Sequence, residues 1–167
     1  ENKIGFYLNY RIKFEGKYLK HGIKQRKLAL FKVEAGLYEK IDETGWSNFD
    51  MEIHEHPILQ GKVGKIKSFL LHDEYKGPEK FVEKHLEYAK WEAHRCKELV
   101  AETYNYFTVR QRIKYMLLNK WWFSHLVFVL GATAFLGLLD GKKGMRYLRL
   151  KQWYFRTIYI LLKHQNS

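Results

Sequence analysis

Residues Lys76 to Phe107 read KGPEKFVEKHLEYAKWEAHRCKELVAETYNYF, and the change of hydrophobic period at the start of this stretch decides the fold class. Pro78 suits the first turn of a helix, and acidic Glu79 beside it suits the positive end of a helix dipole. From there Phe81, Val82, Leu86, Ala89, Ala93, Cys96, Leu99 and Val100 recur three and four residues apart. That stripe is the signature of a long amphipathic helix. His85, Tyr88 and Glu92 share one face of it, either lining a cleft or forming the polar edge of the core stripe, with the edge favoured.

Upstream the period is two. Ile4, Phe6, Leu8, Tyr10, Ile12 and Phe14 alternate with Gly5, Tyr7, Asn9, Arg11 and Lys13, as in a half-buried strand. A basic, glycine-punctuated loop, EGKYLKHGIKQRK, leads to a second strand, LALFKVE, and AGLYEKIDETGWSN carries turn signals. The segment NFDMEIHEHPILQGKVGKIKSFLLHDEY, Asn48 to Tyr75, adds one short piece before Pro57 and another, KIKSFLL, after a Gly61–Gly64 turn. Strands followed by a long helix give a mixed α/β class.

Downstream, Trp121 to Leu139 (WWFSHLVFVLGATAFLGLL) holds no formally charged residue and lies between Lys120 and Asp140. Its length matches a membrane span, a hydrophobic hairpin, an interfacial helix or a buried core helix. The following KKGMRYLRLKQWYFRTIYILLK mixes basic residues with Trp, Tyr and Ile, as a monotopic membrane helix does. After Asp140 there are seven basic residues and no acidic one. Trp121, Trp122, Lys142, Lys143, Arg146, Arg149 and Trp153 are the expected membrane contacts.

The 167 residues suffice for one domain with a sizeable core. A formal charge of +12 suggests a polyanionic neighbour: nucleic acid, anionic lipid or a phosphate-bearing substrate. Nucleic acid is set aside, because the aromatic strand Ile4–Phe14 lacks the RNP pattern and a 19-residue uncharged run has no place there. The lone Cys96 excludes an internal disulfide framework and a cysteine-rich zinc site. The start, ENKIGFYLNY, lacks an initiator Met and a signal-peptide pattern, and enters a strand at once; it reads as a cut inside a larger protein.

The chemistry-bearing residues gather in the Asn48–Tyr75 segment. HEHPI has no second His at metalloprotease spacing, and Pro57 disfavours the helix such ligands need. A structural zinc held by His54, His56 and His72 would lack cysteines and regular spacing. If Met51 and Ile53 face inward, alternation turns Glu55 inward too. There it is either a carboxylate held ready as a general base or the solvated end of a strand. His72 closes the apolar run SFLL, as a metal or phosphate partner or as a surface histidine at a strand terminus.

The order EGKYLKHG, LALFKVEAG, DMEIHEH, GKVGKIKSFLLHDEY, KHLEYAKWEA and LGLLDGKKGMRYL resembles the later half of family 2 glycosyltransferases, more narrowly bacterial members that build lipopolysaccharide or other surface glycans. The resemblance covers nearly the whole chain. It implies a partial GT-A fold, a Rossmann-like mixed sheet followed by the long amphipathic helix and C-terminal membrane-associating helices. Residues 1–110 would be the acceptor-side half of the GT-A domain and residues 111–167 the membrane-associating region.

By the same resemblance, Glu55 is the catalytic base, His72 the metal-ligating histidine, and Lys17, Lys20, His21, His54 and His56 are substrate-binding. The implied cofactor is a divalent metal, Mg or Mn, held mainly by the half not present. The implied partners are a nucleotide-sugar donor, a lipid-linked glycan acceptor and the membrane surface. The implied location is the cytoplasmic face of the bacterial inner membrane, peripheral or monotopic. The Asn48–Tyr75 segment then reads as two strands whose ends carry half of a catalytic site.

Three departures mark this chain. No Asp-x-Asp occurs in it, Ala29-Leu30-Phe31 stands where relatives often show Arg-Leu-Phe, and Glu55 is followed by His56 where the base motif normally ends in a Glu-Asp pair. Glu52 and Asp50 therefore remain alternative bases. The competing function is a non-catalytic membrane-anchored domain with a basic lipid- or partner-binding face.

Overall fold

The computed structural model describes residues 2–38, 57–73, 75–99 and 107–164. Within them the fold is a mixed α/β arrangement with antiparallel sheets and four α-helices. The chain separates into two compact units, the first formed by Glu1–Arg11 with Lys24–His72, the second by Ile12–Ile23 with Asp73–Ser167.

The first unit is built on strand β1 (Gly5–Phe14), as the alternating sequence predicts. It pairs antiparallel with β3 (Arg26–Phe31), from Gly5 opposite Phe31 to Asn9 opposite Arg26, with a register shift between Phe6 and Tyr7. Strand β6 (Val63–His72) also pairs β1, and β4 (Gly36–Tyr38) pairs antiparallel with β5 (Pro57–Leu59). The burial of β1 departs from simple alternation. Its interior residues are half-buried on both faces; its two ends, Gly5 and Phe14, are buried, and Gly5 comes from the face expected to be polar. The reason is Leu59: a Cβ on Gly5 would lie 2.7 Å from its side chain, and one on Gly36 would overlap both Leu59 and the Ile58 carbonyl. Two glycines make room for one leucine.

In the second unit the end of β1 forms a hairpin with β2 (Lys17–Tyr18), Phe14 opposite Lys17. Both turn residues are left-handed, Glu15 at φ 48° and Gly16 at φ 77°, the pattern of a two-residue turn that matches strand twist. Phe14 is fully buried against the rings of Tyr75 and Tyr147. Helix α1 (Pro78–Glu98) begins at the expected proline. Helix α2 (Val109–Leu117) opens on a capping box in which Thr108 Oγ1 accepts the Gln111 N–H and the Gln111 side chain accepts the Thr108 N–H. Helices α3 (Phe123–Ala132) and α4 (Gly141–His164) follow.

The core of this unit joins all four helices: Ala89 and Ala93 from α1, Tyr115 from α2, Phe123 and Val127 from α3, Ile158 and Leu162 from α4, with Phe107 and Leu118 beside them. The expected α1 stripe is present at Ala89 and Ala93, whereas Val82 is exposed and Trp91 is buried instead.

The uncharged run Trp121–Leu139 is broken. Its helix ends at Ala132, a turn follows, and a short 3-10 segment, Gly137–Asp140, leads into α4. No single helix among the described residues is long and apolar enough to cross a membrane. The pair Phe123–Ala132 and Gly137–His164 has the length and composition of a broken span, bent by 67°. Tight packing sets the bend. A Cβ on Gly137 would stand 2.5 Å from the Gly131 carbonyl and 2.7 Å from Leu148, and one on Gly144 would meet Asp140 at 2.5 Å.

Candidate functional site

The loop expected to touch substrate, Lys17 to Gly22, is held by the residue that ends the uncharged run. Asp140 is buried, and its two carboxylate oxygens accept the backbone N–H groups of Lys20 (3.1 Å) and His21 (2.7 Å). The Lys17 ammonium donates to the Asp140 carbonyl (2.8 Å), and the Gly22 N–H donates to the Phe135 carbonyl (2.7 Å). Asp140 immediately precedes α4, where a carboxylate is favoured by the helix dipole. Two of the basic residues after it turn the same way. Lys143 donates to the Glu15 carbonyl (2.6 Å), and Arg146 pairs with the Glu15 carboxylate. EGKYLKHG and LLDGKKGMR, 120 residues apart, are thus one hydrogen-bonded clasp, and Lys17, Lys143 and Arg146 have protein oxygens as partners.

Four further basic residues of α4 behave differently. Lys142, Arg149, Arg156 and Lys163 stand seven apart, so they share one side of the helix, and all four are exposed. At the centre of this stripe lies an open cleft of about 300 Å³ between α3 and α4, lined by Ser124, His125, Arg149, Gln152, Trp153 and Arg156. Ser124 is buried, with its hydroxyl 3.4 Å from His125 Nδ1, and the Trp121 ring stands edge-on to His125. Arg156 reaches the Trp121 carbonyl at 3.5 Å, a long contact. No ion pair among the described residues involves Arg149 or Arg156.

Beside the cleft α3 and the turn after it expose an apolar surface. Leu126, Val129, Leu130, Phe135, Leu136, Leu138 and Leu139 are all exposed, Leu139 to 65%, and Trp121 and Trp122 stand at its start. Exposed apolar residues gathered along one short stretch in this way suit an interaction face.

His85, Tyr88 and Glu92 prove to be inward. The His85 ring stacks on Phe81 at 3.7 Å and meets Tyr88 and Tyr154 edge-on, the polar edge of the core stripe. Burial pushes the Glu92 carboxyl up, but the charge and hydrogen bond of the Lys114 ammonium at 2.6 Å, with the nearby Tyr115 hydroxyl and the charge of Arg95, outweigh it and hold the group below the ordinary range. Arg95 is itself buried over the faces of Trp91, Phe107 and Tyr115. Nearby Lys151 is brought down to about 8, by burial first and then by the charges of Arg110 and Lys114.

In the first unit His72 ends β6 with its ring edge-on to Tyr10 at 5.4 Å. Glu55, His54 and His56, with the alternatives Glu52 and Asp50, lie outside the described residues. Among the described residues, no group of three or more His, Cys, Asp or Glu side chains is arranged to hold a metal ion.

Sequence reasoning treated Asp140 as a boundary marker, although a lone acid followed by seven bases was a usable signal. It did not join His125 to Arg149 and Arg156, because that grouping depends on how two helices cross. No known protein family, curated protein or solved structure shows a significant match to the chain.

Proposed function

We propose that the chain is the acceptor-side portion of an inverting family 2 glycosyltransferase of the bacterial surface-glycan type, working on the membrane surface. The observation that carries this reading is the clasp. Two motifs chosen for their resemblance to that family, EGKYLKHG and LLDGKKG, meet through Asp140 although far apart in sequence. The chain shares the broad α/β class of that family, and the exposed apolar turn with its basic neighbour suits residence at a lipid surface.

In this reading Glu55 takes the proton of an acceptor hydroxyl, and the freed oxygen attacks the anomeric carbon of the donor sugar. The bond to the nucleoside diphosphate breaks, and configuration inverts. Lys20 and His21, whose backbone Asp140 fixes, stand on the loop assigned to the diphosphate. The divalent metal that the family uses would balance the leaving group's charge. His72 would offer one imidazole to such an ion; the described residues form no cage for it.

The test is Glu55→Gln in the intact enzyme. Turnover should fall by about 10²- to 10⁴-fold with donor affinity unchanged. Near-normal turnover removes Glu55 as base and turns attention to Glu52 and Asp50. The apolar turn and basic stripe equally suit a membrane-anchored domain without catalysis. That second reading takes over if the intact protein binds vesicles but no nucleotide-sugar.

A further inference from the structure

The geometry points to the cleft between α3 and α4 as a binding site for a lipid-borne phosphate group, gripped by Arg149 and Arg156. This rests on the membrane-surface part of the proposed function and not on the transfer reaction.

The lining is chemically one-sided. Two guanidinium groups, the Gln152 amide, the His125 imidazole and the Ser124 hydroxyl converge, and no carboxylate is among the lining residues. Arg149 and Arg156 are two helical turns apart, about 10 Å along the axis, with Gln152 and Trp153 between them. The planar fork of a guanidinium matches phosphate oxygens in a way an ammonium does not. Lys143 and Arg146 are engaged on Glu15, and Lys17 on Asp140. The two cleft arginines are thus set apart as donors still open to an external oxyanion.

The surroundings say what the phosphate is attached to. His125 lies on α3, and Val129, one turn further on, is 52% exposed, followed by exposed Leu130 and the apolar turn Phe135–Leu139. A phosphate in the cleft therefore sits at one end of an apolar track, as the headgroup of a lipid does and a free anion does not. Trp153 in the wall and Trp121 at the rim are the aromatic side chains that favour a headgroup depth. Lys142 and Lys163, on the same side of α4, extend positive charge beyond both ends of the cleft, which suits an extended anionic surface.

The experiment is vesicle co-sedimentation of the full chain. It uses phosphatidylcholine alone, phosphatidylcholine with phosphatidic acid, and phosphatidylcholine with phosphatidylglycerol at matched surface charge. The wild type should prefer phosphatidic acid, whose phosphate is a terminal monoester. Arg149→Lys with Arg156→Lys keeps the net charge and should lose about ten-fold in affinity for those vesicles, because the forks are gone. Lys142→Arg with Lys163→Arg, the reciprocal control, should change it by less than about two-fold.

If the arginine pair tolerates lysine as well as wild type, the stripe is a diffuse electrostatic surface and the cleft is not a site. If millimolar inorganic phosphate displaces the protein and binds it equally well without vesicles, the lipid-borne assignment falls. If the wild type binds no vesicle at all, the membrane-surface reading fails first. None of these results touches donor binding, which tests the transferase reading separately.

Discussion

Two basic regions of this protein invite comparison, the Lys17–Gly22 loop and the Lys142–Lys163 side of α4. By composition they are alike. In structure the loop is held by its own protein: the Lys17 ammonium and the N–H groups of Lys20 and His21 are spent on Asp140. The side of α4 that carries Arg149 and Arg156 faces outward with no acidic partner among the described residues. A positive charge announces a ligand only where the fold has left it unanswered. A count of +12 cannot make that distinction; the oxygen atoms nearby can.

The comparison breaks most decisively at Asp140. Asp140→Ala orphans two N–H groups and the loop they belong to, and should lower unfolding free energy by about 2–4 kcal/mol, read from urea titration. A change under about 0.5 kcal/mol would show that the clasp contributes nothing.

Lys151 sharpens the same point from the other direction, as a cation that the fold opposes. Its folded pKa of about 8 lies below the ordinary 10.5, so its ammonium is penalised fully below pH 8 and the penalty fades as pH rises toward 10.5. Lys151→Met should therefore stabilise the protein by about 1–3 kcal/mol at pH 7. The gain should shrink as pH rises from about 8 and be nearly gone by about 10.5, measured as the difference in unfolding free energy across that window. A gain that is constant with pH would mean packing and not charge.

The smallest effect is expected at the open stripe. Arg149→Gln with Arg156→Gln removes two exposed cations that have no carboxylate partner among the described residues. Stability should move by no more than about 0.5 kcal/mol, read from the same titration. A larger loss would mean that these side chains hold the fold and are not reserved for a ligand.

Much of this could be read in the sequence where one element decides its own structure. Strand β1 announced itself by alternation and α1 by its apolar stripe and Pro78, and both stand where the pattern puts them. What escaped was decided between elements. Hydropathy alone in WWFSHLVFVLGATAFLGLL does not mark a stop after Ala132, since an unbroken helix would satisfy the same pattern. The break comes from Gly131 and Gly137 closing on each other and on Leu148, a residue of the next helix. Val82 was assigned to the core and is exposed, while Trp91 is buried, because the face α1 offers is set by α4 and not by the run of apolar residues alone. The half of the candidate site around Glu55 lies outside the described residues, so its assignment stands on resemblance.

The spacing of the α4 cations has a geometric consequence. A seven-residue repeat on a helix of 3.6 residues per turn falls short of two full turns by about 20°. Arg149 and Arg156 therefore point within about 20° of each other, while Lys142 and Lys163 are rotated apart by about 60° over the full length. The row is a shallow spiral, and a spiral laid on a plane touches along its middle and lifts at its ends. A flat charged sheet would press hardest on the arginine pair, with the two lysines acting as outriggers that limit roll.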